Sequence, residues 1–498
     1  MAALNVMGAY AEGGRSSMAP GEHPLEFVFR PRSVAVAGAS PQRGGSGNEY
    51  VLQLQHYGFL GPIYPVHPEA TVVEGLPAYR SVVDVPGPVD YVISAVPAAA
   101  LPQLVDECGR KGVRVLHAFT GRFRETGSPA AAALEQEVLR RVRRAGLRLI
   151  GPNCMGLYVP KQGIGFKYNF PLEPGPVAFL SQSGGNCAEL VYRGSLRGLR
   201  FSKVISYGNG LDLTESDFLE YLAADPETAV VGAYTEGVQD GRRFLAAMKG
   251  LAASKPVVLL KGGRTAAGAR SVASHTGALA GAKAVWDAAC RQAGAVQVSD
   301  LEEMIDVLVA FRFLKPVRGL AVGVVGGGGG RTVQSADDCE AAGLTVVPLP
   351  SEIREKLRPL APAFADWIGN PLDVSILAGA NVLPEMIRLM GAHPAFDALI
   401  ANVGEDWSLD TPESAGRMLT GTLKSFLELG GTQPKPFAVV LGTSEGLEEW
   451  RWRAIEEAKR RFWEAGLAVF PTIARAAWAL AKAHAYYRWR DSGLGSGL

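Results

Sequence analysis

One histidine stands among residues too small to hide it, in Val272-Ala273-Ser274-His275-Thr276-Gly277-Ala278-Leu279-Ala280-Gly281. Ser274, Thr276 and Gly277 read as a hydroxyl-bearing turn, and the Ala/Gly stretch after them reads as the start of a helix. A helix N-terminus gathers unpaired N–H groups and the positive end of the dipole, so it favours an anion. A histidine in such a cradle suggests a ring that itself takes a phosphoryl group. A histidine that only caps a loop fits the same ten residues, so the choice depends on what the rest of the chain brings to it.

Two further turns have compositions suited to phosphate. Gly38-Ala39-Ser40 closes the apolar run Ser33-Val34-Ala35-Val36-Ala37, with Gly44, Gly45 and Gly47 close behind. Buried strand, glycine turn and helix make the entry of a doubly wound nucleotide-binding fold. The turn is not a GxGxxG, and no acid ends the second strand, where Tyr64-Pro65-Val66-His67-Pro68 stands. That counts against NAD and leaves another phosphate-bearing ligand such as CoA. Ser181-Gln182-Ser183-Gly184-Gly185 offers hydroxyls and N–H groups without the lysine of a Walker loop. Such a nest suits free phosphate or a phosphorylated side chain, and a tight strand-to-helix turn is the plainer alternative. Gly326–Gly330 reads first as a flexible turn. Gly-x-Ser-x-Gly, HExxH and carboxylate–histidine metal spacings are absent from the sequence, so no metal site is expected.

The elements that must position these turns repeat three times. Strands are expected at Ser33–Ala37, Pro62–Val66, Tyr91–Pro97, Val113–Phe119 and Leu147–Gly151. A second set covers Pro176–Leu180, Phe201–Ser206, Ala229–Tyr234 and Pro256–Leu260. A third covers Leu320–Val325, Leu344–Val347, Ala398–Asn402, Phe437–Leu441 and Ala468–Phe470. Leu101–Lys111, Asp217–Ala224 and Glu448–Ala465 fit helices between them. The fold class is therefore α/β, with three consecutive doubly wound domains. The expected divisions are a flexible tail over 1–22, then 23–153, 154–314 and 319–498, with a basic, Pro-containing linker near Arg312–Arg318. Ligands of open α/β sheets sit at the carboxyl ends of strands, so Glu236 and His275 can share one crevice.

The 498 residues are too many for one core. Fifty basic against 49 acidic residues, a net charge of +1, argue against a nucleic-acid or membrane-surface footprint. The five cysteines form no CxxC pair and read as reduced thiols. The beginning of the chain has no signal-peptide pattern, and no long charge-free apolar span occurs, so the cytoplasm is the expected location.

With three such units in this order, the chain resembles the α subunit of ADP-forming acyl-CoA synthetases, relatives of succinyl-CoA synthetase. The resemblance runs from about Pro31 to about Tyr487. It is carried by Ser33–Ser40, Tyr64–Pro68, Gly87–Asp90, Ile150–Gly156, Ser181–Gly184, Ser206–Asn209, Leu219–Leu222, Tyr234–Gly237, Ser274–Gly277 and Asn370–Asp373. It implies a Rossmann-like CoA-binding domain followed by two flavodoxin-like domains. Gly38, Ala39, Ser40, His67, Val96, Pro97, Phe119 and Thr120 would hold CoA. His275 would carry the phosphoryl group, and Glu236 would orient its ring. Ser181, Gln182, Ser183, Gly184, Thr276 and Gly277 would bind phosphate.

The implied reaction joins acyl-CoA, phosphate and ADP to a carboxylic acid, CoA and ATP, through acyl phosphate and phosphohistidine. The ATP-grasp module of such enzymes finds no counterpart here. ADP/ATP and Mg²⁺ are thus expected on a separate ATP-grasp β-type subunit in a hetero-oligomer, α2β2 being one arrangement. Departures from the pattern are Arg122 where relatives carry glycine, His67 where they often carry asparagine, Gly326–Gly330, and Gly163–Phe170 at a candidate acyl pocket. A non-catalytic CoA-binding or regulatory homologue is the alternative reading.

Overall fold

A computed structural model describes residues 23–42, 44–276, 283–373, 382–404, 411–413, 416, 421–442 and 448–493. The expected tail over 1–22 lies outside them. Met1–Tyr192 with Arg200–Gln297 form one compact unit, and Arg193–Leu199 with Val298–Leu498 form another.

Short runs of Val, Ile, Leu and Ala, buried on both faces, build the strands, as parallel sheets require. β1 (Val34–Ala37), β2 (Ile63–Val66), β5 (Tyr91–Ser94), β6 (Val115–Ala118) and β7 (Arg148–Ile150) form the first sheet in the order β2-β1-β5-β6-β7. The small β3 (Val72–Val73) and β4 (Leu76–Pro77) pair beside it as an antiparallel hairpin. The second sheet runs β13-β12-β11-β9-β10-β8, from β8 (Gly156–Tyr158), β9 (Pro174–Ser181), β10 (Phe201–Ser206), β11 (Val230–Thr235), β12 (Val257–Lys261) and β13 (Val296–Val298). In the other unit, β14 (Ala321–Val325), β15 (Thr345–Val346), β16 (Ala398–Gly404), β17 (Phe437–Leu441) and β18 (Ala468–Phe470) run β15-β14-β16-β17-β18.

Counting the five strands of each repeat and leaving aside the antiparallel β8, all three sheets have the order 2-1-3-4-5. The strand order of each reverses beside its first strand, and the crevice outside that point is where ligands of such sheets bind. The three glycine- or serine-rich turns all follow these first strands.

The expected strands are all present to within three residues at either end. β3, β4, β8 and β13 were not expected. They are two or three residues long, too short for a period to show. The helix expected from Asp217 begins at Glu215, because the Asp217 carboxylate accepts hydrogen bonds from Thr214 N (2.9 Å) and Thr214 Oγ1 (2.8 Å).

One expectation is overturned. Ser274, His275 and Thr276 do not form a turn: they lie within the Ala266–Thr276 helix, while the Ala/Gly stretch expected to start a helix falls outside the described residues. The Thr265 hydroxyl accepts from Gly268 N (3.1 Å) and starts that helix, and the alanine-rich residues after it carry it through the histidine. Gly277 lies outside the described residues. Gly326–Gly330 is also only partly a turn, since Gly329 and Gly330 begin the Gly329–Ala341 helix.

The five cysteines are free and buried. Among the described residues, no three His, Cys, Asp or Glu side chains gather as a metal site would need. None of the helices there is long and apolar enough to cross a membrane.

Candidate functional site

Among the described residues, the exits of the second sheet gather several buried polar side chains. β9 and β11 lie side by side, with Tyr234 opposite Ser181. Ser181 is fully buried and folds the turn on itself: its hydroxyl donates to Ser183 O (2.8 Å) and accepts from Ser183 N (3.0 Å). Ser183 then caps the Gly184–Ser195 helix, its hydroxyl accepting from Asn186 N at 3.2 Å. Gln182 turns the other way. Its side-chain oxygen accepts from Glu236 N (2.5 Å), Gly237 N (3.2 Å) and Thr235 Oγ1 (3.1 Å). The turn after β9 thus holds the main chain just beyond β11.

The Glu236 carboxylate sits there at 4% exposure and accepts from the Tyr234 hydroxyl at 3.1 Å. Burial and the adjacent carboxylate push the Tyr234 phenol well above its usual range, so it stays a donor. Space beside the acid exists because residue 262 is glycine. A Cβ there would meet Tyr234 OH at 2.6 Å and Glu236 Cγ at 3.3 Å. Lys261 ends β12 with 2% exposure, its ammonium 2.8 Å from Glu236 O and 5.0 Å from the centre of the Trp286 ring. Burial pulls that ammonium down to about 8, with Glu236 opposing the shift.

Beyond Lys261, Gly262-Gly263-Arg264-Thr265 leads straight into the helix that carries His275. This helix runs beside the Arg124–Thr126 turn that follows β6. The side chains of His275 and Thr276 lie outside the described residues.

The exit of the first sheet is built differently. Gly38 has φ +91°, and a Cβ on it would lie 2.8 Å from the carbonyl carbon and oxygen of Ala95. Only glycine lets β1 leave so close to β5. Asn48, buried in the Ser46–His56 helix, holds both sides of Ser40: its side-chain oxygen accepts from Ser40 N (3.0 Å) and its amide donates to Ser40 O (2.7 Å). The helix itself has no side-chain cap, which leaves first-turn N–H groups for a ligand. The Thr120 hydroxyl donates to Val96 O (2.6 Å), joining the exits of β5 and β6. Phe119 packs edge-on to Tyr50 at 5.7 Å.

Comparison with known proteins gives both halves of this unit a family. Residues 32–160 match the model of a CoA binding domain, and residues 174–311 that of a succinyl-CoA ligase like flavodoxin domain. The α subunit of acetate–CoA ligase (ADP-forming) I of Pyrococcus furiosus is 32% identical over 94% of this chain and 98% of its own length. This chain belongs to the ADP-forming acid–CoA ligase family, as an α-type chain. Acetate–CoA ligase (ADP-forming) I of Archaeoglobus fulgidus is 37% identical over 76% of this chain, which spans 54% of that relative's length. A dinucleotide forming acetyl-coenzyme A synthetase 1 of Ca. Korarchaeum cryptofilum, solved in complex with phosphate and ADP, superposes with a TM-score of 0.82. It is 30% identical, with 95% of this chain and 99% of that one covered.

In this α-type ligase chain, Ser181, Gln182, Ser183, Gly184 and Glu236 come together at one strand exit, and Gly38, Ala39, Ser40, Val96, Pro97, Phe119 and Thr120 lie around another. His67 stands apart in its contacts: its Nδ1 accepts from Glu69 N (3.2 Å) and Ala70 N (3.0 Å), shaping its own turn. Sequence reasoning missed Lys261, Tyr234, Gly262 and Asn48. A lysine ending an apolar β-run, followed by two glycines, was the legible signal for the first. Nothing in the spacing marked Asn48.

Proposed function

We propose that this chain is the histidine-phosphorylated α-type subunit of an acid–CoA ligase that forms ATP from ADP. The observation that carries this reading is the buried Glu236, held by Gln182 at its N–H and by Lys261 at its carbonyl, at the strand-order reversal of the second sheet. A carboxylate so fixed suits the task of setting the tautomer and direction of an imidazole. The non-catalytic alternative leaves this arrangement without a use.

CoA fits the first sheet's exit. Its phosphates meet the open N–H groups at the start of the Ser46–His56 helix and the Gly38–Ser40 turn. Its pantetheine arm passes Val96 and Pro97 toward Phe119 and Thr120. In the first step a phosphate oxygen attacks the thioester carbonyl; the C–S bond breaks, and CoA leaves as the thiol. A ring nitrogen of His275 then attacks the phosphorus of the acyl phosphate. The P–O bond breaks and the carboxylate leaves. Glu236 keeps the ring in the nucleophilic tautomer and stabilises the charge that forms on it. Gly184 and Gly185 N–H groups, at the start of their helix, face the transferred phosphoryl group. Last, the N–P bond breaks as the group passes to ADP, bound with Mg²⁺ on a separate ATP-grasp β-type subunit in a hetero-oligomer. Free buried cysteines suit a reducing cytoplasm.

The test is to incubate the chain with labelled acyl phosphate, and separately with labelled ATP and an ATP-grasp partner. An acid-labile, base-stable phosphoryl group is expected on the wild type and none on His275→Asn. A wild-type chain that takes no label in either arm overturns the assignment.

A further inference from the structure

Lys261 is a buried cation that the reaction steps above leave unused. Thr235 and Lys261 lie side by side as the last residues of β11 and β12. From there the two chains part: one continues to Glu236, the other through Gly262 to the His275 helix. The Lys261 ammonium donates to carbonyl oxygens on both, to Glu236 O at 2.8 Å and to Gly262 O. The Trp286 ring covers it at 5.0 Å. A lysine costs several kcal/mol to bury unless charge and hydrogen bonds compensate it, and an aliphatic side chain would fill a strand end at no such cost. A charge kept here is therefore in use.

We infer that Lys261 is a positioning residue for phosphoryl transfer. Its ammonium staples the Glu236 main chain to the segment that sets the start of the histidine helix, and it offsets the Glu236 carboxylate as the phosphoryl group arrives. Two negative groups, carboxylate and phosphoryl, meet at this exit. Without a cation nearby, the two negative groups would repel each other at one buried exit, and the carboxylate's hold on the imidazolium would weaken. The charged group acting on the ammonium is the Glu236 carboxylate just beyond β11, and the Trp286 ring covers it from its own helix. Tyr234, which donates to that carboxylate, titrates only far above the range used below.

The inference rests on the phosphohistidine reading, and the experiment separates the two. Single-turnover labelling by acyl phosphate is followed from pH 6.5 to 9.5 in the wild type, Lys261→Met and Lys261→Arg, with CoA binding measured alongside. Absence of label on the wild type defeats the phosphohistidine reading, whatever the variants do. With the wild type labelled, its rate should fall above about pH 8 as the ammonium loses its proton. Lys261→Met should label roughly 100-fold more slowly, without that alkaline fall, while binding CoA normally. Lys261→Arg should recover at least a tenth of the rate and keep it at pH 9.5. A wild-type rate flat to pH 9.5, or Lys261→Met labelling within threefold of wild type, overturns the proposal. If Lys261→Met loses CoA binding in parallel with labelling, the lysine is only a folding element and the proposal fails as well.

Discussion

The exits of β1 and β9 are the same place in the same topology, and they are furnished in opposite ways. At the first, the turn and its facing residues are Gly38, Ala39, Ser40, Val96 and Pro97, none of them charged. The shape comes from a positive φ at Gly38 and from Asn48 gripping Ser40. At the second, a buried carboxylate, a buried ammonium and a glutamine oxygen meet on one main-chain segment. A neutral cradle binds through backbone N–H groups and shape, and suits a ligand that comes and goes unchanged. An ionic constellation is costly to bury and repays that only where charge develops during a reaction. The scaffold supplies the location, and the charges supplied there decide between holding and transforming.

The sharpest way to break this contrast is Glu236→Gln. The amide keeps the size and gives up the charge, so phosphoryl transfer to His275 should fall roughly 10³-fold. CoA affinity, measured by calorimetry, should stay within twofold. A matching loss of CoA binding would mean that the two exits do not divide the work.

Much of this division was legible beforehand. Strand runs such as Pro256–Leu260 are apolar and rich in valine and leucine, and their order along the chain sets the sheet topology. Glu236 was placed by the rule that ligands gather at strand exits. Lys261 was not, because a lysine after Leu259-Leu260 reads as the first solvent-exposed residue beyond a strand. Only the tertiary cover of Trp286 and the Glu236 carbonyl makes it buried. The error at His275 has a local cause. Ser274, Thr276 and Gly277 suggested a turn, while the alanines from 266 onward favoured a helix that runs through Thr276.

The two sheets also carry opposite pH sensitivities. His117, buried under the first exit on β6, is pulled down to about 4 by burial. Its unfolded form binds a proton near 6.5, so stability from this residue is full above 6.5 and is lost as pH falls toward 4. Glu215, at the start of the helix after β10, is pushed up to about 7 by burial. Here the folded state holds the proton more tightly, so stability rises as pH falls from 7 to the unfolded value near 4.5. Each shift corresponds to about 3 kcal/mol. In the wild type the two slopes largely cancel between pH 6.5 and 4.5. Glu215→Gln removes this counterweight to the His117 slope, so urea midpoints should drop more over that interval than they do in the wild type. Parallel profiles for the two proteins would show that the buried groups are not titrating as their surroundings require.

Gly38→Ala tests the neutral exit. The new methyl would lie 2.8 Å from the Ala95 carbonyl, in a left-handed backbone that costs an L-residue about 1–2 kcal/mol. The turn must shift, and CoA affinity should fall on the order of 30-fold. Labelling of His275 by acyl phosphate, which needs no CoA, should continue at the wild-type rate. Loss of labelling would tie the second exit to the geometry of the first.

The smallest effect concerns Arg122, a charged residue beside the first exit. Arg122 has φ +76° in the loop after β6, where its N–H donates to the Glu125 carboxylate at 2.6 Å and its side chain is exposed. Glycine would take this backbone without strain, although it also adds freedom to the unfolded chain. Arg122→Gly should therefore gain only about 0.5 kcal/mol, visible as a slightly raised thermal midpoint. Glu125 also accepts from Phe123 N at 2.9 Å, so the loop keeps its path in the variant. Strain retained on an exposed arginine calls for a compensating use, and Arg122 comes two residues after Thr120, which lies on the proposed path of CoA. An exposed ion pair with a phosphate is worth under about 1 kcal/mol, so CoA affinity should weaken threefold to fivefold, and less at high salt. An affinity unchanged at low salt would leave Arg122 without a part in holding CoA, and the contrast between the two sheets would be stricter than the Arg122 position suggests.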